Sequence, residues 1–100
     1  MPARDALSDS QIDDALPDGW RRQPHAVGNR ITKEYTFSNF RSAMGFIVRV
    51  GFEAEAMDHH PELFNVYDRV AIALTTHDAG DQVTETDLEL ARRIEALAAD

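Results

Sequence analysis

Three histidines grouped with carboxylates are the residues of this chain whose types and spacing could carry out chemistry. His59 and His60 are adjacent in a short segment that runs from Glu55 to Pro61, and a third histidine, His77, follows it. Histidine changes its charge near neutral pH, so facing imidazoles can give and accept a proton within one reaction cycle. The pattern therefore predicts acid–base chemistry of the kind that an elimination needs.

Composition limits the classes of protein to which the chain can belong. With 100 residues, of which 43% are hydrophobic, we expect one domain over residues 1–100 with a modest core. The sequence has no cysteine, which excludes disulfides and thiolate chemistry. The net charge of −8 argues against a nucleic-acid partner. The polar first residues do not resemble a signal peptide, and no apolar stretch could span a membrane, so we expect a cytoplasmic protein without a membrane partner.

A short helix is predicted near the start of the chain, followed by two strands. Ser8 is a typical N-cap, Gln11 completes a capping box with it, and Leu7 is spaced to pack against Ile12. The helix should end at about Leu16.

We then expect a strand over residues 19–23, a turn over residues 24–29 and a second strand. Alternating residues indicate the face that the second strand buries: Ile31, Lys33, Tyr35 and Phe37.

The clearest structural signal is a long amphipathic helix in the middle of the chain. Its expected N-cap is Ser38, and apolar residues recur after it at helical spacing. These residues are Phe40, Ala43, Met44, Ile47, Val50, Ala54 and Met57. Because Pro61 prevents the helix from continuing, His59 and His60 must leave it at its C-terminal end.

Two further strands and a last helix complete the predicted order. The strands span residues 64–67 and 70–76 with a tight turn between them, and a loop follows His77. Thr84 is the N-cap of the last helix, with Asp87 at its third position. The order α-β-β-α-β-β-α predicts an α+β fold, in which a four-stranded antiparallel sheet carries the helices on one face. This fold can bring His77 back towards the other two histidines.

The residues of the predicted site follow a pattern that resembles a known family. In chain order the pattern consists of Glu55, His59, His60, Pro61, Tyr67, His77 and Asp87. It closely resembles the pattern of the pterin-4a-carbinolamine dehydratases. Flanking stretches resemble that family too: Gly19-Trp20, Phe64-Asn-Val-Tyr67 and Thr75-Thr-His77-Asp-Ala-Gly80. The resemblance covers the chain from about Trp20 to its last residue.

The resemblance implies a reaction and a set of site residues. Members of the family dehydrate 4a-hydroxytetrahydropterin to the quinonoid dihydropterin in tetrahydropterin recycling, without a metal or another cofactor. Carried over to this chain, His59 and His77 are the acid–base pair, and His60 positions the substrate and shares in proton transfer. Further substrate-binding residues are Glu55, Asp58 and Tyr67. The resemblance also implies a homodimer or a dimer of dimers.

The same residues allow other roles and other classes of function. Helix capping alone explains Asp87, and Tyr67 could pack against the fold rather than bind a ligand. A second class of function is a non-catalytic, protein-binding regulatory module, since animal members of the family bind a transcription factor through a helical surface. A third is a metal site made by the three histidines, although adjacent histidines seldom converge on one ion. The sequence does not show which imidazole is the acid and which the base.

Two residues depart from the family pattern. Leu63 stands where the family commonly has a tryptophan, and Asp81 stands where a second glycine is expected in the loop after His77. We expect Leu63 to change how the ligand or an interface is covered. We expect Asp81 to change the conformation of the loop that aims His77.

Overall fold

Residues 4–25 and 27–99, which the computed structural model describes, form three α-helices and four β-strands. In chain order the elements are α1 (Asp9–Ala15), β1 (Arg21–Pro24), β2 (Asn29–Thr36), α2 (Phe40–Ala56), β3 (Glu62–Val66), β4 (Arg69–Leu74), a 3₁₀ turn (His77–Ala79) and α3 (Glu85–Ala98). The predicted order and the α+β class are confirmed. The predicted turn over residues 24–29 includes Ala26, and the polar opening includes residues 1–3, which lie outside the described residues.

The four strands form one antiparallel sheet in the order β1-β2-β4-β3. Each predicted hairpin keeps its two strands adjacent, and β2 pairs with β4 in the centre, where Tyr35 lies opposite Val70. Strands β1 and β3 are therefore the edges. None of the helices in the described part of the chain is long and apolar enough to cross a membrane.

The core lies between one face of the sheet and the helices. The strand residues in it are at most 8% exposed: Ile31, Tyr35, Val70, Ile72 and Leu74. Phe46 of α2 is fully buried, and its ring centroid lies 5.0 Å from that of Tyr35 and 4.8 Å from that of Phe37. Burial of an aromatic side chain of this kind stabilises the fold by about 2–3 kcal/mol.

The buried face of α2 agrees with the predicted one at Ala43, Val50, Ala54 and Met57, but not at two other residues. Phe40 and Met44 were expected in the core, but their side chains are 48% and 37% exposed. The face that meets the sheet is centred on Ala43, Phe46 and Val50, all fully buried, and Phe46 was not among the predicted residues. Apolar residues cover most of this helix, so periodicity alone allowed both faces, and only the position of the sheet distinguishes them.

Helix capping was predicted well at two of the three helices. The capping boxes of Ser8 with Gln11 and of Thr84 with Asp87 are both present. The prediction that Ser38 caps α2 was wrong. Asn39 is the N-cap, and its side-chain oxygen accepts a hydrogen bond from the backbone N–H of Ser42 at 2.8 Å.

Several strand and loop boundaries also differ from the predictions, among them the end of β4, which lies at Leu74 rather than at residue 76. Strand β1 begins at Arg21 rather than at residue 19. Strand β3 begins at Glu62, and its turn with β4 is formed by residues 67–68 rather than 68–69, because Val66 pairs with Arg69. The segment after His77 is not an open loop but begins with a 3₁₀ turn.

A network of polar side chains ties α3 to the sheet. Oε1 of Glu95 accepts hydrogen bonds from the Tyr35 hydroxyl at 2.5 Å and from Trp20 Nε1 at 3.3 Å. Lys33 Nζ donates to the same carboxylate at 2.9 Å. Burial, together with the Glu95 carboxylate, raises the pKa of Tyr35 well above its ordinary value. This network helps to hold α3, and therefore Asp87, against the rest of the fold.

Candidate active site

The three predicted histidines line one cleft beside the C-terminal end of α2. The cleft has a volume of about 260 Å³ and lies between the segment after α2, the end of β4 and the 3₁₀ turn. Its lining residues are Arg4, Asp58, His59, His60, Thr75, His77 and Asp78. Of the other predicted site residues, Glu55 contacts His60 beside the cleft, whereas Tyr67 lies elsewhere.

His59 is anchored by a buried carboxylate. Its Nε2 lies 2.5 Å from Oδ1 of Asp87, and the two side chains are 6% and 0% exposed. A carboxylate accepts hydrogen bonds and cannot donate them, so Nε2 is the donor. Nδ1 is then the ring nitrogen left for a ligand. The hydrogen bond to the buried carboxylate fixes the orientation of the ring.

Asp87 is held by hydrogen bonds to its second oxygen. Oδ2 accepts from the backbone N–H of Thr84 and from the hydroxyl of Thr76, each at 2.8 Å. A buried carboxylate without such partners would cost several kcal/mol. The prediction that Asp87 caps α3 is correct, but it was incomplete. One oxygen caps the helix while the other holds His59.

His60 has a carboxylate partner that is exposed to solvent. Its Nε2 lies 3.0 Å from Oε1 of Glu55, and the two side chains are 63% and 80% exposed. An ion pair in such contact with water contributes at most about 1 kcal/mol. Glu55 therefore orients His60 without fixing it as firmly as Asp87 fixes His59.

His77 pairs with Asp81, one of the two residues that depart from the family pattern. Its Nδ1 lies 3.1 Å from Oδ1 of Asp81. Asp81 has a φ of 59°, in the left-handed region that glycine adopts without cost, which explains why a glycine was expected there. Aspartate is one of the few other residues that enter this region readily. Asp81 therefore adopts a backbone conformation that glycine favours, and its side chain adds a carboxylate beside His77.

The loop after His77 is docked against the turn between β1 and β2. The backbone oxygen of Asp81 accepts a hydrogen bond from the backbone N–H of Asn29 at 3.1 Å. Gly28 lies so close that a Cβ at this position would be 2.2 Å from the same oxygen. Thr76 also bridges to Gln82 across the loop. These contacts hold the loop at a defined position beside the cleft.

Arg4 enters the cleft from the beginning of the described chain, and sequence reasoning missed it. Its Nη2 donates to the backbone oxygens of Met57 at 3.3 Å and of Asp58 at 3.1 Å. Asp58, predicted as a substrate-binding residue, has a φ of 49° and turns the chain out of α2 just before His59. No local pattern signals this contact, because Arg4 lies 54 residues away in the sequence.

Tyr67 and Leu63 do not line the cleft. Tyr67, predicted to bind the substrate, is the first residue of the turn between β3 and β4, and its side chain is 63% exposed. Leu63 lies on the edge strand β3 and is 40% exposed. Thr75 and Asp78 line the cleft instead. Both belong to the stretch around His77 that resembles the family, which was the signal available for finding them.

Each of the three histidines has a carboxylate partner. His59, His60 and His77 contact three separate acidic residues. Within residues 4–25 and 27–99, no group of three histidine, cysteine, aspartate or glutamate side chains could hold a metal ion.

The fold and the cleft define an α+β protein with three histidines, each beside a carboxylate, in one cleft. The chain belongs to the pterin 4 alpha carbinolamine dehydratase family, whose sequence profile matches residues 5–97. The family is named for a dehydratase, that is, a hydro-lyase.

Individual relatives agree with this assignment. A protein of Opitutus terrae is 54% identical over 80 residues, which cover 80% of this chain and 78% of the relative. A protein of Solibacter usitatus is 47% identical over 93 residues, which cover 93% and 95% of the two chains. Both names provisionally assign a pterin-4-alpha-carbinolamine dehydratase.

Solved structures share the fold. A protein of Brucella melitensis described as a transcriptional coactivator/pterin dehydratase has a TM-score of 0.84 and 38% identity, covering 94% of this chain and 99% of that one. A pterin dehydratase-like protein identified as a RuBisCO assembly factor in the alpha-carboxysome has a TM-score of 0.68 at 23% identity, covering 82% and 92%. The second likeness concerns the fold alone.

Proposed function

We propose that this protein dehydrates 4a-hydroxytetrahydropterin to quinonoid dihydropterin in the recycling of tetrahydropterin. The observation that carries the proposal is the presence of His59, His60 and His77 in one cleft, each with its own carboxylate. Membership of the family supports the class of substrate. The cleft volume of about 260 Å³ is close to the lower end of ligand pockets, near 300 Å³, which suits a bicyclic ring.

The reaction needs two proton transfers at neighbouring atoms. The C4a–O bond breaks as the leaving hydroxyl group takes a proton and departs as water, and N5 loses its proton as the C4a=N5 double bond forms. One group must act as the acid and another as the base. We assign these two roles jointly to His59 and His77. His60 holds the pterin ring and shares in proton transfer, and Asp58 contributes to the wall.

The test of this function is turnover of a 4a-hydroxytetrahydropterin, followed by the absorbance of the quinonoid product. We expect His59→Ala and His77→Ala each to lower kcat by about a hundredfold or more, because each removes one proton-transfer group. His25→Ala is the matched control, since His25 is exposed and does not line the cleft. Circular dichroism checks that each variant is folded. Unchanged rates in both cleft variants would remove the catalytic assignment.

A second candidate function is the binding of another protein, with or without catalysis. An exposed apolar stripe follows one side of α2 at four-residue spacing: Phe40, Met44, Val48 and Phe52. Exposed apolar patches of this kind are typical of protein–protein contact. If binding were the only function, the protein would retain a partner while failing to turn over the pterin, which the assay above distinguishes.

We also propose that the protein forms a homodimer or a dimer of dimers. Edge strand β3 exposes Leu63, Phe64 and Val66, and its outer side has no strand partner among the described residues. An unpaired apolar edge is a ready site for pairing with a second copy.

Light scattering on the purified protein gives the mass of the assembly. Phe64→Lys should disrupt pairing along the β3 edge, whereas Phe52→Lys should disrupt only contacts through α2. A monomer at all concentrations in the unmodified protein would contradict this proposal.

A further inference from the structure

We propose that Asp81 is a positioning residue, which holds His77 with Nδ1 protonated so that proton exchange with a ligand takes place through Nε2. The kinetic consequence of this inference rests on the proposed dehydratase function. The tautomer of His77 does not rest on that function, and it can be measured separately.

The contact itself defines which nitrogen carries the proton. Nδ1 of His77 lies 3.1 Å from Oδ1 of Asp81. Because a carboxylate only accepts hydrogen bonds, Nδ1 must be the donor. Nε2 has no hydrogen-bond partner among the residues that the structure describes. In the neutral imidazole the free nitrogen is then an acceptor, and in the charged imidazole it is a donor.

Asp81, which provides this carboxylate, has a fixed backbone and a partly buried side chain. The side chain of Asp81 is 31% exposed, against 93% for His77. Its backbone is fixed by the hydrogen bond from Asn29 and by the close approach of Gly28. The more ordered partner of the pair is therefore Asp81. An imidazole almost fully in water gains its orientation from this residue rather than from packing.

Other charged groups around the cleft do not make the same contact. The titratable and charged residues that line it with His77 are Arg4, Asp58, His59, His60 and Asp78. Asp78 follows His77 directly, yet among the described residues its carboxylate forms no hydrogen bond with the ring. The other two histidines have their own carboxylate partners. Asp81 is thus the group placed to select the tautomer of His77.

The first experiment is nitrogen-15 NMR of the histidine rings, which distinguishes the two tautomers of a neutral imidazole. We expect protonated Nδ1 at His77 in the unmodified protein. In Asp81→Gly the major form should become the Nε2-protonated tautomer that free histidine prefers in water. Glycine suits a φ of 59°, so this variant keeps the loop conformation. Asp81→Asn, whose amide oxygen can still accept from Nδ1, should retain part of the original tautomer.

Asp14→Asn is the control for the loss of one negative charge, because Asp14 is exposed on α1 and does not line the cleft. It should leave the ring signals of His77 unchanged. An unchanged tautomer in Asp81→Gly, or the Nε2-protonated form already in the unmodified protein, would overturn the inference. Because these spectra need no turnover, they decide the matter even if the dehydratase function itself fails.

Turnover provides the second readout. In Asp81→Gly we expect kcat to fall about fivefold, the upper end for one exposed charged hydrogen bond. KM should change by less than about twofold, since Asp81 does not line the cleft and removes no ground-state contact. Asp81→Asn should restore part of kcat. A change in KM alone would contradict a positioning role and point to a binding role instead.

Discussion

Nε2 of His59 lies 2.5 Å from Oδ1 of Asp87, a carboxyl group with no exposed surface. The same carboxylate caps α3 through its other oxygen, which accepts from the backbone N–H of Thr84. The start of the last helix and the orientation of a site histidine therefore depend on one side chain. A change in the position of His59 would therefore also disturb the N-terminal end of α3.

Replacement of Asp87 by asparagine should affect both activity and stability. The amide presents a donor where one of the two oxygens accepted, so either His59 or the helix cap loses its partner. We expect Asp87→Asn to lower kcat by about a hundredfold and to reduce the free energy of unfolding by about 1–3 kcal/mol. Turnover and urea unfolding on the same preparation measure the two effects.

Thr76→Val is the control for the Asp87 prediction. It removes one donor from the second oxygen of Asp87 and leaves the contact with His59 in place. We expect a loss of about 1 kcal/mol in stability with a smaller effect on kcat. Equal losses of activity in the two variants would mean that the hydrogen bonds to the second oxygen of Asp87, rather than its bond to His59, are what catalysis requires.

The elements of the fold could be predicted because their signals are local. The capping boxes at Ser8 and Thr84 each lie within four residues, and Pro61 lies next to the histidines that it releases from α2. The face that α2 buries could not be predicted in the same way, because Phe40 and Phe46 are equally apolar. Which of them is buried depends on where the sheet lies, and the sequence carries no local record of that position.

The Glu95 network makes stability dependent on pH on the acid side. Burial raises the pKa of Glu95, but the hydrogen bonds from Tyr35 and Lys33 have the larger combined effect. The pKa of Glu95 therefore lies below its ordinary value of 4.5. A carboxylate whose pKa is depressed in the folded state contributes stability above its unfolded pKa, and this contribution is lost as the pH falls through the folded pKa.

We therefore expect the free energy of unfolding to decrease as the pH falls below about 4.5, and to decrease less steeply in Glu95→Gln. Chemical unfolding at a series of pH values measures the two slopes. Identical slopes in both proteins would show that the network does not couple folding to the ionisation of Glu95.

Tyr67 occupies a backbone conformation that is costly for its side chain. Its φ is 51°, and a bulky residue in the left-handed region is strained. We expect Tyr67→Asn to raise the free energy of unfolding by about 1 kcal/mol, because asparagine enters this region more readily. A loss of stability would mean instead that the exposed ring makes a contact worth more than the strain.

Turnover of the same variant separates the two interpretations of Tyr67. In this chain the residue lies at the far end of the β3–β4 hairpin from the histidines. A packing role predicts an unchanged KM, whereas the substrate-binding role that the family pattern implies predicts a higher one.

Arg4 should stabilise the exit of α2, where its guanidinium holds two backbone oxygens. We expect Arg4→Met to increase hydrogen exchange about fivefold at the backbone N–H of His59, which donates to Ala54 at 3.0 Å. Arg21→Met is the matched control, since Arg21 is exposed on β1, away from the cleft. The same increase in the control variant would show an effect of charge and not of this contact.

The site was less predictable than the fold for a physical reason. Pattern and spacing placed His59, His60 and His77 in one region, but the groups that orient them come from distant segments. Arg4 and Asp87 reach the cleft only through tertiary packing. Asp81 was noticed as a departure from the family pattern, while its bond to His77 depends on a left-handed backbone that a sequence does not display.

The groups that orient the cleft are far apart in the sequence, which affects how the site forms during folding. Arg4 is joined to Asp58 across 54 residues, and His59 to Asp87 across 28. Contacts between distant segments form slowly, because the long loops between them must close first. The cleft is therefore complete only when the segment before α1, the end of α2 and the start of α3 have all reached their places. A pterin analogue that binds the cleft would therefore report, in refolding experiments, the joint arrival of these three segments rather than the formation of any single element.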